Sequence, residues 1–460
     1  MTFNDVYERF VKESPVCVMM RSAFENIFAA DKMESIFEDN AQRQYSSELL
    51  FSTVADMMAS VVCRIHPSIN AAYRNRAETL GVSVNAVYDK LQGIEPQVSR
   101  ALMQSTAADM AAMIKGTGAV LPEPVPGYHV KIVDGNHLRR TDRRIGETRL
   151  LNDAPLPGKS LVVLDPQLRL AIDMIPCEDG HANERRLFPE LSECVQRRDL
   201  WIGDRNFCTT GFLLPFFKKG AYFVVRQHGT ALHWELQGRR RRVGEMETGI
   251  VYEQAMRIFD EEGNFRVIRR ISVVLHEPTR DGDMEIQILT NLPAKIGSLK
   301  IAEIYRNRWT IETAFQEMAE NLEGEIKTLG YPKAALFGFC IALVIYNILN
   351  VIRAAIDAAV SSESADQSRV SIYYLADEIA GTSRGMTIAL PAPFWTKKFG
   401  ELKPHQMGLE LVELARHVEV KKYRPNTWKP KKPKKKKGKQ SRRGHVSTGK
   451  LIDHRKPMLA

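Results

Sequence analysis

No two of the six cysteines (Cys17, Cys63, Cys177, Cys194, Cys208 and Cys340) form a CxxC pair, and none sits with a histidine at zinc-ligand spacing. That excludes a zinc finger, a zinc ribbon and a thioredoxin-type redox motif. The opening residues Met1-Thr2-Phe3-Asn4-Asp5 have no signal-peptide character, so free thiols in a reducing compartment are expected. No GxxxxGK[ST] loop is present, so no nucleotide-hydrolysing phosphate loop is expected. The longest apolar run, 334–346, falls short of the roughly 20 residues that span a bilayer, and Asn347 and Asn350 interrupt its extension. It reads as a buried core helix, with no membrane partner. No internal repeat is found. Acid and base are unevenly spread. Residues 421–460 carry 16 Lys and Arg against one acid, Asp453, a net of +15, so with +10 for the whole chain the first 420 residues come to −5. Such a polycation attracts polyanions, nucleic acid first among them.

What is present divides the 460 residues into blocks. Residues 1–120 read as helical, a possible DNA-binding region. Within them 76–91 has the outline of a helix-turn-helix: Gly81 for the turn, Ser83 as a cap, and Val84, Val87, Tyr88 and Leu91 as a packing face. A plain helical hairpin would look the same. Pro122, Pro124, Pro126 and Gly127 mark a linker. Strands then alternate with helices: a strand over 130–134, a hairpin over 160–164 and 170–175, a helix over 184–195, a strand over 200–204, a helix over 209–217 and a strand over 221–226. This order predicts an α/β fold, a mixed sheet flanked by helices. Residues 228–290 are strand-rich, with strands expected at 232–236, 265–268, 271–275 and 285–289, and read as a small β-rich insertion. Its cluster Arg239, Arg240, Arg241 and Arg242 is either a solvated turn or a phosphate contact. A helix over 298–322 follows, then the buried helix near 334–358. Residues 359–420 read as a helical C-terminal region, and 421–460 as a basic disordered tail around Lys434, Lys435, Lys436 and Lys437.

The 298–322 helix organises the chemistry. Ser298 can cap it. Ile304, Ile311, Phe315, Met318 and Leu322 make one apolar stripe. Tyr305, Arg308 and Glu312, at i, i+3 and i+7, share a second face that can hold a metal ion and grip a phosphate. Asp134 and Asp204 each end a predicted strand of one sheet, where functional groups gather. If the helix packs on that sheet, three carboxylates converge on a hard divalent ion and support in-line displacement at phosphorus. Bland readings stand beside each: Asp134 as a turn residue before Gly135, Asp204 in a local pair with Arg205. Asp165 reads as turn chemistry before Pro166. Asp173 and Glu184 remain competing acids.

Val133-Asp134-Gly135, Asp204-Arg205-Asn206-Phe207 and Tyr305-x2-Arg308-x3-Glu312, in this order, resemble the DDE transposases of bacterial insertion sequences. The similarity is to the branch with a Tyr-Arg-Glu-Lys signature and covers about 128–350. It implies a ribonuclease-H-like catalytic domain over 128–227 and 291–358, interrupted by the 228–290 insertion. Carried over by position, Asp134, Asp204 and Glu312 become the catalytic, metal-binding triad for Mg²⁺ or Mn²⁺. Tyr305 and Arg308 would hold the phosphate at the transposon end, with Arg205 and Arg239 to Arg242 as further DNA contacts. Trp309 could stack on a displaced base, although core packing is its slightly favoured reading; Trp234 is a weaker stacking candidate. The signature lysine is absent: Ala319 stands seven residues after Glu312, and Lys327 is the next lysine. The resemblance implies a cytoplasmic, nucleoid-associated bacterial transposase. It would bind terminal inverted repeats, cut the strand ends, join them to target DNA and assemble at least as a dimer on paired ends. The alternatives are a nuclease of the same fold, or a DNA-binding protein that has lost catalysis.

Overall fold

The computed structural model describes residues 2–44, 48–139, 141, 145–151, 153–279, 282–360, 370–425 and 444–455. Its centre is the helix Pro332–Val360. Proline at the first position costs no hydrogen bond there. Residues 334–346 are apolar on every side and Asn347 and Asn350 beyond them are buried too, the pattern of a helix enclosed by protein. By length and composition it could cross a membrane, yet its most apolar 18-residue window is wholly buried. The apolar run of the sequence was therefore correctly placed in the core, although the helix is longer than 334–358.

One side of this helix meets the N-terminal helices, which run Phe3–Glu13, Pro15–Ile27, Ala30–Asn40, Phe51–Val62, Ile69–Arg74, Ala77–Leu80, Val84–Gly93 and Pro96–Thr117. The expected turn is present: Gly81 adopts a left-handed φ of +67°, and Ser83 Oγ accepts the Ala86 N–H. Val87 and Leu91 are buried as expected. The helix before the turn is only four residues long, and Asn85 and Asp89 are exposed on the second helix.

The other side meets a nine-stranded sheet. Its strands are β1 (His129–His137), β3 (Lys159–Asp165), β4 (Leu170–Cys177), β5 (Asp199–Gly203), β6 (Tyr222–Arg226), β7 (Trp234–Met246), β8 (Gly249–Phe259), β9 (Phe265–Leu275) and β10 (Glu285–Thr290), while β2 (Ala154–Leu156) lies outside it. The order is β4-β3-β1-β5-β6-β10-β9-β8-β7. β1, β5 and β6 are parallel neighbours, and every other pair is antiparallel. Alternation along β1 sends Val130 and Ile132 toward the central helix and Val133 toward Trp201, Phe223 and Val225 on the opposite face.

Four expectations are corrected. The strand-rich 228–290 region does not fold as a separate small insertion: β10 pairs with β6 and carries β9, β8 and β7 outward as one continuous sheet. β8 had no counterpart in the expected strands, and the arginine cluster lies within edge strand β7, not in a turn. The 298–322 helix is two helices, Ser298–Arg306 and Trp309–Asn321. Between them the path tightens to i→i+3 bonds, Arg308 N–H to Tyr305 O and Ile311 N–H to Arg308 O, while Thr310 Oγ1 competes for the Asn307 carbonyl at 2.6 Å. Ser298 is no cap; the cap is Gly297, and Ser298 Oγ is buried against Glu253 and Arg269.

The C-terminal tail is also not unstructured where it is described. His445–Ser447 (β11) pairs in parallel with β2, and the helix Thr448–Arg455 follows. Pairing with β2 supplies hydrogen-bond partners for the backbone of this short segment. Lys434 to Lys437 lie outside the described residues.

Candidate active site

Three parallel strands deliver the site. The β1–β5 register aligns Ile132 with Ile202 and brings Asp134 and Asp204 onto adjacent strands. Asp204 directly follows β5, but Asp134 does not end its strand as expected, because β1 continues to His137 through its pairing with β3. Arg226 ends β6 beside them. Asp204 also caps the short turn Arg205–Phe207 by accepting the Asn206 N–H at 2.8 Å. Arg205 is exposed and makes no ion pair with Asp204, so the local-pair reading fails among the described residues.

Tyr305, Arg308 and Glu312 come to the same place from the broken helix. The apolar stripe holds them there: Ile304, Ile311, Met318 and Leu322 are each at most 2% exposed. Arg308 is the junction. Its guanidinium reaches Asp134 Oδ2 at 3.2 Å and Glu312 Oε1 at 2.7 Å, with the side chain only 10% exposed. Burial works against its charge, but Tyr305, Asp134 and Glu312 together hold it above the ordinary arginine value. Arg308 Nε is buried without a hydrogen-bond partner among the described residues, a donor left for a ligand.

The acids feel one another. Burial pushes the Asp134 carboxyl up to about 7, opposed by Arg308 and the Gly135 N–H and reinforced by Asp204 and Glu312. Burial raises Tyr305, with Arg308 and Arg226 opposing and Asp204 adding to the rise. The site therefore unites Asp134, Asp204, Glu312, Tyr305 and Arg308. Hard carboxylate oxygens suit Mg²⁺ or Mn²⁺, and a bound cation would relieve the reluctance of Asp134 to ionise. Among the described residues no three His, Cys, Asp or Glu side chains form a ready-made cage; Arg308 already spans two of the acids.

The competing acids separate cleanly. Asp165 accepts the Gln167 and Leu168 N–H groups as turn chemistry. Asp173 is forked by Arg100 at 2.9 and 3.1 Å, a buried structural pair. Glu184 is different. A Cβ at Gly135 would come within 2.4 Å of its Oε1, and Asn206 Nδ2 donates to its Oε2 at 3.4 Å. Burial raises its carboxyl, with Lys159 opposing and Asp204 adding. Sequence reasoning left Glu184 open. The only signal was its place next to Asn183, which caps the turn Glu184–Leu187.

The aromatic and basic candidates lie elsewhere. Trp309 is 54% exposed, so core packing is not its role. Trp234 is half-buried. Arg240 pairs with Glu285 at 2.8 Å and lies over the Tyr252 ring, Arg242 pairs with Glu245 at 3.0 Å, and Arg241 reaches Glu253 at 4.0 Å. Arg239 is exposed with no ion pair among the described residues. Charged side chains along an edge strand also block pairing with another sheet. Ala319 sits half-buried on the Trp309–Asn321 helix.

Residues 129–348 match the family model described as the transposase DDE domain. The chain is also 25% identical, over 207 residues, to a protein of Sinorhizobium fredii described as "Putative transposase y4zB"; the match takes in 40% of this chain and 56% of that protein. The chain thus spans little more than half the length of that relative.

Proposed function

We propose, on the premise that residues 129–348 are a DDE transposase domain, that the protein binds the terminal inverted repeats of its element, cuts the strand ends and joins them to target DNA. The observation that carries this reading is the buried Arg308 fork. It ties Asp134 and Glu312 into one cluster, while Asp204 leaves the neighbouring strand beside them. Sheet order β4-β3-β1-β5-β6, with β1, β5 and β6 parallel, supports a ribonuclease-H-like core for 128–227 and 291–358. The strands of 228–290 would be an extension of it, and the helices of 1–120 a DNA or subunit contact.

In the proposed reaction a water oxygen attacks phosphorus at the element's end and the P–O3′ bond breaks. The freed 3′-hydroxyl then attacks a target phosphate, forming one P–O bond as another breaks. DDE transposases generally use divalent metal. Asp134, Asp204 and Glu312 would hold Mg²⁺ or Mn²⁺, which when bound favours deprotonation of the nucleophile and stabilises the leaving oxygen. The residues of the chain do the rest. Arg308 Nε, unpartnered among the described residues, donates to an end phosphate, with Tyr305 beside it. Exposed Trp309 offers a ring face to a displaced base. Arg205 and Arg239 to Arg242 contact the backbone. Ala319 in place of the signature lysine favours one alternative, a DNA-binding protein without catalysis.

The test is a labelled duplex carrying the element's end, incubated with and without Mg²⁺. Metal-dependent nicking and joining are expected in the wild type. Both should be lost in Asp204→Ala and Glu312→Ala while binding persists. A wild type that binds the end but never cuts it with either metal gives the case to the DNA-binding alternative.

A further inference from the structure

A pocket of about 180 Å³ lies between the helices Pro15–Ile27, Phe51–Val62 and Ile372–Ala389, and shares no residue with the acid cluster. Its volume suits one flat ring. Its wall divides by chemistry. Met20, Phe24 and Met386 give one apolar side. Arg21, Arg76 and Arg384 give three guanidinium groups against a single lining carboxylate, Asp56, which pairs with Arg76. Arg21 pairs with Glu25 at 2.7 Å, but its Nε is buried with no partner among the described residues. Arg384 is exposed and makes no ion pair among them. The lining is cationic and selects an anion.

His66 defines the rest. It is 9% exposed. The Ser60 hydroxyl donates to the Met57 carbonyl at 2.7 Å, so its single proton is committed. The 3.2 Å contact between Ser60 Oγ and His66 Nδ1 must therefore be donated by the imidazole. Burial, with Arg384 and Arg76, pushes the His66 pKa down, against Asp56, and keeps the ring neutral. Nε2 then carries a bare lone pair, buried and without a partner among the described residues. An unsatisfied buried acceptor costs about 1–3 kcal/mol. A ligand that donates an N–H there would recover it.

We infer that this pocket binds a nucleotide: a phosphate on the arginines, a flat base against Phe24 and the two methionines, and a base N–H donated to His66 Nε2. The nucleotide could come free from solution or from a single DNA strand, which share this chemistry. Flat rings pack well on aromatic and thioether surfaces, and guanidinium groups recognise phosphate.

The test is calorimetric titration of the full chain with deoxyadenosine monophosphate. Saturable binding is expected, weakened at least tenfold in Arg384→Ala and in His66→Phe. Arg384 is exposed, so its variant should fold even if the His66 variant does not; circular dichroism checks both. Binding must survive in Asp204→Ala, which separates this pocket from the acid cluster. Deoxyadenosine and inorganic phosphate, each lacking half the ligand, should bind more weakly. Displacement of the mononucleotide by a six-residue oligo(dA) identifies a DNA strand as the source; no displacement identifies the free nucleotide. No saturable binding, equal binding in both variants, or binding lost with Asp204→Ala would overturn the inference.

Discussion

At Asp134, burial and two neighbouring carboxylates oppose ionisation, and one guanidinium and one N–H favour it. The sign of the resulting pH dependence is fixed. With a folded pKa of about 7, well above the ordinary carboxylate range, this residue's contribution to stability is full below about pH 4 and is lost as pH rises through 7. Asp134→Asn, a neutral replacement, should therefore make the metal-free protein more stable at pH 8 by about 2 kcal/mol. That is roughly half of what a three-unit shift would give at ~1.4 kcal/mol per unit, discounted because the carboxylate is partly solvated. The gain should vanish near pH 4. Urea melts in EDTA at both pH values check it, and a gain that is independent of pH would refute it. Arg308→Met should act in the opposite sense. It leaves two carboxylates facing one another without their cation, a loss of about 3 kcal/mol in the same melts. In the double variant the gain from Asp134→Asn and the loss from Arg308→Met should not simply sum, since the two side chains share one interaction.

Among the elements, the helix Ser298–Arg306 is held at its start by a single buried arginine. Arg269 donates to Glu253 Oε1 at 2.8 Å, to the carbonyls of Pro293 and Ile296 at 3.0 and 2.8 Å, and to Ser298 Oγ at 3.2 Å. Arg269→Met should cost about 3 kcal/mol, because it orphans a carboxylate and several carbonyls at once. Limited proteolysis after 290 should speed up with it; unchanged cleavage would show that the clamp does not fix this helix. The elements also show what could be read in advance. Asp134 and Asp204 were legible because alternating apolar runs end on them, and the helix stripe because Ile304, Ile311, Met318 and Leu322 recur at helical spacing. The break at Asn307 and Arg308 was not legible. No glycine or proline marks it, and the i→i+3 bonds there accompany a contact made 174 residues away at Asp134. β8 was missed because Glu253, Gln254 and Ala255 interrupt its alternation, and its two partner strands set its conformation. Glu184 was undecided because only the fold brings it against Gly135.

For the whole molecule, the sheet and the helical half join through Asn347. In the middle of the apolar helix its amide accepts the Ala171 N–H at 2.8 Å and donates to the Ala171 carbonyl at 2.7 Å. β4 is an edge strand of the sheet, so the outward backbone groups of Ala171 have no strand partner and are open to the side chain. Read along the sequence, Asn347 only interrupts an apolar run; in the fold it is the polar link between two layers. Asn347→Leu should lower unfolding free energy by about 2–4 kcal/mol by leaving two buried backbone groups unpaired, measured by urea denaturation; a neutral effect would mean that the two layers do not depend on this link. The same docking brings Asp134 on β1 and Asp204 after β5 to the helix that carries Glu312 and is capped by Arg308. The most direct test of that convergence as a metal centre is Asp204→Cys, assayed for strand cleavage in Mg²⁺ and in Mn²⁺. A thiolate is a poor ligand for Mg²⁺ and a better one for softer Mn²⁺. The account predicts no cleavage in Mg²⁺ and recovery in Mn²⁺. Full activity in Mg²⁺, or inactivity that Mn²⁺ does not relieve, would contradict it.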